Sequence, residues 1–275
     1  MKKFCPSKII VVFFLLFSFF LLPQKSYSEE KTFDANQAYQ DFLYNYNLYR
    51  QSYSEYMIAK ESYLKYQTLT SKNEALQKTS QMLKNQDEVV KTYLTALRLK
   101  LMEASGNAGY EQNTLYTKID NEITWYKNHQ ENLNSAGTIE DLIALASKGG
   151  NEYKETEILI YQTLGAILNG KENVFYGKIN QNIKTLKEKI GEIRTKGDKN
   201  TSLSERWLLE AENRLTRSQE KQLFAQNLLT QIKTNDSNKL KSYNEAQFTI
   251  QESHQYLKEA NSYLKEVIKE LKSAD

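Results

Sequence analysis

From Glu29 to Asp275 the chain contains no proline; Pro6 and Pro23 both lie before that point. Proline ends helices and fixes surface turns, so a long stretch without it leaves helix propagation unchecked and points to an all-α fold. Glycine supplies the punctuation instead. Residues 29–105 have none, residues 106–197 hold all ten, and residues 198–275 have none. This divides the chain into a long helical segment at 29–105, a centre of shorter helices at 106–197, and a third helical segment at 198–275.

The apolar spacing supports helices, because positions three and four apart share one helix face. In the third segment Tyr243, Ala246, Ile250, Ser253, Leu257, Ala260, Leu264, Val267 and Leu271 alternate steps of three and four. Leu208, Ala211, Leu215, Ser218, Gln222, Ala225, Leu229 and Ile232 form a matching seam. Both carry the small series Ala-Ser-Ala at seven-residue spacing, which lets two helix backbones approach closely. The short linker Lys233–Asn238 makes 202–234 and 239–273 a helical hairpin. Ser202-Leu-Ser-Glu205 is expected to cap its first helix as a capping box.

The first segment begins at Asp34, a capping residue, and has an aromatic seam. A second seam, Leu76, Leu83, Val90, Leu97 and Ala104, is out of phase with it, because Tyr63 to Leu76 is 13 residues. A break at 67–73 is therefore expected, with Ser71-Lys-Asn-Glu74 as the new cap; the alternative is one continuous helix to about 104 whose buried face drifts. In the centre, Tyr116, Ile119, Ile123, Tyr126 and Leu133 mark a helix ending near Gly137. Thr138-Ile-Glu-Asp141 caps a short helix expected to stop at Gly149-Gly150. The apolar run Ile158–Leu168 reads as a central helix covered on all sides, the alternative being an exposed patch that receives a partner; Ile179, Ile183, Leu186, Ile190 and Ile193 continue the helical step, and Thr195–Thr201 reads as a polar loop. The expected architecture is an elongated bundle of antiparallel amphipathic helices with coiled-coil-like seams.

Residues 1–28 read as a signal peptide. Lys2, Lys3 and Lys8 precede an apolar run from Ile9 to Leu22, and Ser26 and Ser28 suit cleavage between Ser28 and Glu29. Fourteen helical residues reach about 21 Å, short of the roughly 30 Å hydrocarbon core, which argues against a retained anchor. No later segment has twenty consecutive apolar residues, so no stable membrane span is expected after cleavage. The expected location is outside the cytoplasm: extracellular, at the cell surface or periplasmic. Cys5, the only cysteine, goes with the leader, so thiol and disulfide chemistry is excluded from 29–275. Removing the leader's four lysines from the 37 basic residues leaves 33 against 34 acidic, a net charge of −1. That balance is unsuited to nucleic acid, where neutralising phosphates supplies most of the affinity.

The usual catalytic patterns are missing. A di-iron bundle needs Glu-x-x-His on two helices, but Tyr126 precedes His129 by three and Gln251 precedes His254 by three. Two histidines cannot make a multi-histidine zinc site; His129 reads as exposed and His254 as lying at the boundary of its seam. There is no G-x-S-x-G nucleophile motif, and Gly106-Asn-Ala-Gly109 and Gly149-Gly150 follow helices instead of the strands that precede phosphate loops. No cofactor, metal or catalytic residue is expected, and the chain is read as a non-enzyme.

Tyrosine is the compositional excess, with eight between Tyr39 and Tyr66. The candidate interaction surface is Tyr39, Phe42, Tyr46, Tyr49, Tyr53, Tyr56 and Tyr63, since amphipathic rings suit half-wet contacts. The competing reading packs these rings into the bundle, and burial of Tyr46, Tyr49, Tyr53 and Tyr56 within one chain decides between them. The expected function is an exported structural or protein-interaction component of the cell envelope or surface, whose partner is another protein or a second copy. The alternative is an extracytoplasmic bundle that binds a small ligand or a glycan on the tyrosine helix.

Overall fold

Helix boundaries in this chain are set by a few side chains that reach back to free backbone amides. The computed structural model describes residues 34–104, 110–197 and 200–273. The leader 1–28 with its cleavage point, and Gly106-Asn-Ala-Gly109, lie outside the described residues. Among the described residues there are six α-helices and no strand: α1 (Ala35–Tyr66), α2 (Leu69–Glu103), α3 (Tyr110–Ser135), α4 (Ile139–Lys196), α5 (Ser202–Thr230) and α6 (Lys239–Lys272). From Ala35 onward they pack as one helical bundle.

The break after α1 falls at the start of the expected interval, and a continuous helix to 104 does not form. Gln67 adopts a left-handed φ of 49°, which reverses the chain. Thr68 then caps α2: its hydroxyl accepts the Ser71 amide and the Ser71 hydroxyl accepts the Thr68 amide, both at 3.1 Å. Thr68 reaches these amides one turn upstream, so Ser71-Lys-Asn-Glu74 does not act as the cap. The hairpin is closed by Phe42 against Tyr93 at 5.0 Å, Asn85 on the Leu48 carbonyl, and Lys78 to Glu55 at 2.7 Å. These pairs run in opposite order along the two helices.

The central third is not broken as expected. Thr138 and Asp141 form their capping box, but α4 then runs for 58 residues, straight through Gly149-Gly150. A helical glycine costs about 1 kcal/mol relative to alanine, which is small against the buried face carrying Leu142, Leu159, Ile160, Leu164, Ile167, Ile179, Ile183 and Ile190. Gly149 and Gly165 serve close approach instead. A Cβ on Gly149 would lie 3.1 Å from His129 Cε1, and one on Gly165 would lie 2.1 Å from Leu229 Cδ1. Gly197 alone ends α4, in a left-handed conformation with φ of 72°; the loop expected from Thr195 therefore begins two residues later.

The first part of α4 packs with α2 and α3, and the rest packs with α5 and α6. Lys239 pairs with Glu157, Tyr161 stacks on Tyr243 at 4.9 Å, and Lys187 meets Glu212 at 2.9 Å. Ile158–Leu168 lies where these groups of helices meet and is largely buried, as its composition implies. Every seam residue from Leu208 to Leu229 in α5, Ile232 just past its end, and every one from Tyr243 to Val267 in α6 is buried. Ser218 and Ser253 hydrogen-bond at 2.8 Å across the seam, and the Gln222 amide donates to both. The capping box expected at Ser202–Glu205 is not formed. Asn200 accepts the Ser202 amide and Thr201 donates to Glu205, so upstream residues occupy the cap.

Candidate functional site

Two features stand out from the helix packing: a buried polar centre and the tyrosine side of α1. His129 does not face solvent. It is 3% exposed, held between α2, α3 and α4. Its Nδ1 shares a hydrogen bond with Asp87 Oδ2 at 2.7 Å and its Nε2 donates to the Leu145 carbonyl at 3.1 Å. Trp125 stacks on the ring at 4.9 Å with planes 16° apart, and Gly149 leaves the space its edge occupies.

Two acceptors facing the two ring nitrogens call for the protonated imidazolium. Burial opposes that charge, whereas the Asp87 hydrogen bond and carboxylate and the Leu145 carbonyl support it; the balance holds the His129 pKa above its ordinary value. Burial likewise pushes the Asp87 carboxyl up, with His129 and Lys91 pulling the other way. The pair is a shared proton between covered groups, and it ties three helices together. Beside it, Tyr126 and Thr156 hydroxyls meet at 3.1 Å, and Thr156 reaches Glu122 at 2.7 Å. Burial raises the Glu122 pKa.

The spacing of the seams carried a signal for this pair. His129 stands three after Tyr126 and four before Leu133, and Asp87 stands four after Leu83 and three before Val90. Both therefore occupy core positions of their helices, where polar neighbours in sequence do not bring them to water. His254 does lie at a boundary: it is half-buried, with Nδ1 3.1 Å from Glu172 and its ring edge-on to Phe175.

Three residues of the tyrosine seam are core and four are partly covered; none of the seven is fully exposed. Tyr39, Phe42 and Tyr49 are buried and so are removed from the candidate interaction surface; Phe42 contacts Tyr93, and burial with the nearby Tyr53 and Tyr46 pushes the Tyr49 pKa up to about 12. Tyr46, Tyr53, Tyr56 and Tyr63 are half-buried. Their spacing of seven, three and seven keeps them on one side of α1 over about 26 Å. Tyr53 and Tyr56 rings lie 6.0 Å apart, and Lys60 sits 5.6 Å above Tyr56. Tyr44 and Tyr66, outside the seam, are exposed.

Among the described residues no group of three or more His, Cys, Asp or Glu side chains is placed to hold a metal ion, and no helix is long and apolar enough to cross a membrane. No protein-family model, curated protein or solved structure matches the chain.

Proposed function

We propose that the protein works by binding, without catalysis, as an exported helical-bundle component of the cell envelope or surface. Its partner is another protein or a second copy, received on the side of α1 that carries Tyr46, Tyr53, Tyr56 and Tyr63. The observation that supports this reading is the half-covered state of these four rings along one helix side. Each combines an apolar ring with a polar hydroxyl and is only partly covered, and tyrosine of this kind is enriched at interface hot spots. The lysine-bearing, apolar leader supports export.

A photo-reactive phenylalanine at Tyr53 or Tyr56, activated on intact cells, tests the reading. A discrete adduct is expected from these positions, and none from the exposed Gln251 of α6. Recovery of only uncross-linked monomer in the medium overturns it. An adduct that is glycan instead of protein assigns the same rings to carbohydrate.

A further inference from the structure

The turn between α1 and α2 has the wrong composition for a hairpin end surrounded by water. Leu64 and Tyr66 are each 59% exposed and Leu69 is 75% exposed, where polar turn residues are usual. Near the turn, the residues buried within the hairpin are Ala59, Ser71 and Ala75, with Lys78 and Glu55 paired just behind them. The apolar trio is therefore not needed to close it. The turn also projects. The last hydrogen bond from α2 to α3 on this side joins Ser80 to the Leu133 carbonyl, close to where α3 ends and α4 begins. From Ser80 to Leu69 is 11 residues, about 16 Å of helix.

Charge is graded along the same axis. Between Glu61 and Glu74 the only charged residues are Lys65 and Lys72, and Lys65 lies 5.0 Å over the Tyr66 ring. Farther back, Lys60 is accompanied by Glu61, and Lys78 is neutralised by Glu55. Tyr66 and Leu69 flank the apex, Lys65 and Leu64 follow in the last turn of α1, and Lys72 stands about one turn into α2; exposed apolar side chains set among lysines whose long stems carry their heads to the headgroups suit a bilayer interface. A groove on a partner protein would instead select one side of a helix. We propose that the α1–α2 turn inserts shallowly into an anionic lipid surface, with Leu64, Tyr66 and Leu69 below the headgroups and Lys65 and Lys72 at their phosphates. This anchoring is separate from the reading of the tyrosine side of α1 and survives its failure.

The test uses the full chain with Cys5→Ser and one environment-sensitive fluorophore at Thr70→Cys, so that the signal reports the turn and not the apolar leader. On vesicles of phosphatidylglycerol and phosphatidylcholine in equal parts, the label is expected to shift to the blue and to be quenched by lipids spin-labelled near the headgroup. A label at Gln251→Cys should stay in water. The triple exchange Leu64→Ser, Tyr66→Ser, Leu69→Ser should weaken the turn's signal at least about tenfold while circular dichroism stays unchanged. Lys65→Gln with Lys72→Gln should weaken it roughly tenfold and erase the preference over pure phosphatidylcholine. A turn label that remains in water overturns the proposal. So does an equal response at Thr70 and Gln251, which would mean that the leader alone carries the chain to the bilayer. Dissociation of an oligomer by the triple exchange, seen by sedimentation, overturns it in favour of a second copy at the turn.

Discussion

Replacing Gly149 with alanine should destabilise the protein, although the residue sits inside a long helix. Helix propensity favours the exchange by about 1 kcal/mol. The new Cβ, however, would stand 3.1 Å from His129 Cε1, closer than ordinary van der Waals contact, and the ring has little room to yield. Asp87 holds one edge at 2.7 Å, the Leu145 carbonyl holds the other at 3.1 Å, and Trp125 covers a face. Hydrogen bonds to charged groups contribute about 1.5–3 kcal/mol each, so a displacement that costs a good part of these two outweighs the propensity gain. The expected net loss is about 1 kcal/mol. Gly177 and Gly191 of the same helix have no atom within 4 Å of a new Cβ, and alanine there should add about 0.5–1 kcal/mol each. Urea unfolding followed by circular dichroism, at matched slopes, measures all three. In a His129→Ala background the sign at Gly149 should reverse. If Gly149→Ala stabilises the otherwise unaltered chain as Gly177→Ala does, then the glycine is not there to admit the histidine.

Two further predictions rest on titration. The folded-state pKa of His129 is raised, so its contribution is fully present below its unfolded value of about 6.5 and is lost as pH rises through the folded value; the raised Asp87 acts in the same direction at lower pH. The unfolding free energy of the wild-type chain minus that of His129→Gln should therefore fall as pH increases from about 6.5, and a flat difference would contradict the protonated pair. Separately, Tyr49 and Tyr243 are pushed up to about 12, Tyr49 by burial together with Tyr53 and Tyr46, and Tyr243 by burial. Near-ultraviolet absorbance should show a late-ionising class that loses one member in Tyr49→Phe and one in Tyr243→Phe. Ionisation of every tyrosine near the ordinary value of about 10 in the folded chain would count against their placement.

What could be read from the sequence was whatever depends on neighbours three and four residues apart. The α5 and α6 seams, the Thr138–Asp141 cap and the break after Tyr66 follow from helical spacing and from side chains that reach adjacent amides. Even there, caps were resolved only to within a turn, because Thr68 and Asn200 accept the amides of Ser71 and Ser202, and Thr201 engages Glu205, ahead of the residues expected to cap. The tertiary structure decided what depends on residues far apart. Gly149-Gly150 reads as a stop by itself and instead lies inside α4, where α3 brings His129 against Gly149. His129 reads as exposed from its lysine and amide neighbours, yet Asp87, forty-two positions away, supplies the charge that makes its burial tolerable. The tyrosines of α1 share one spacing, and the folding back of α2 determines which of them it covers. A local pattern marks a helix face, but only the elements packed against that face determine how much of it water can reach.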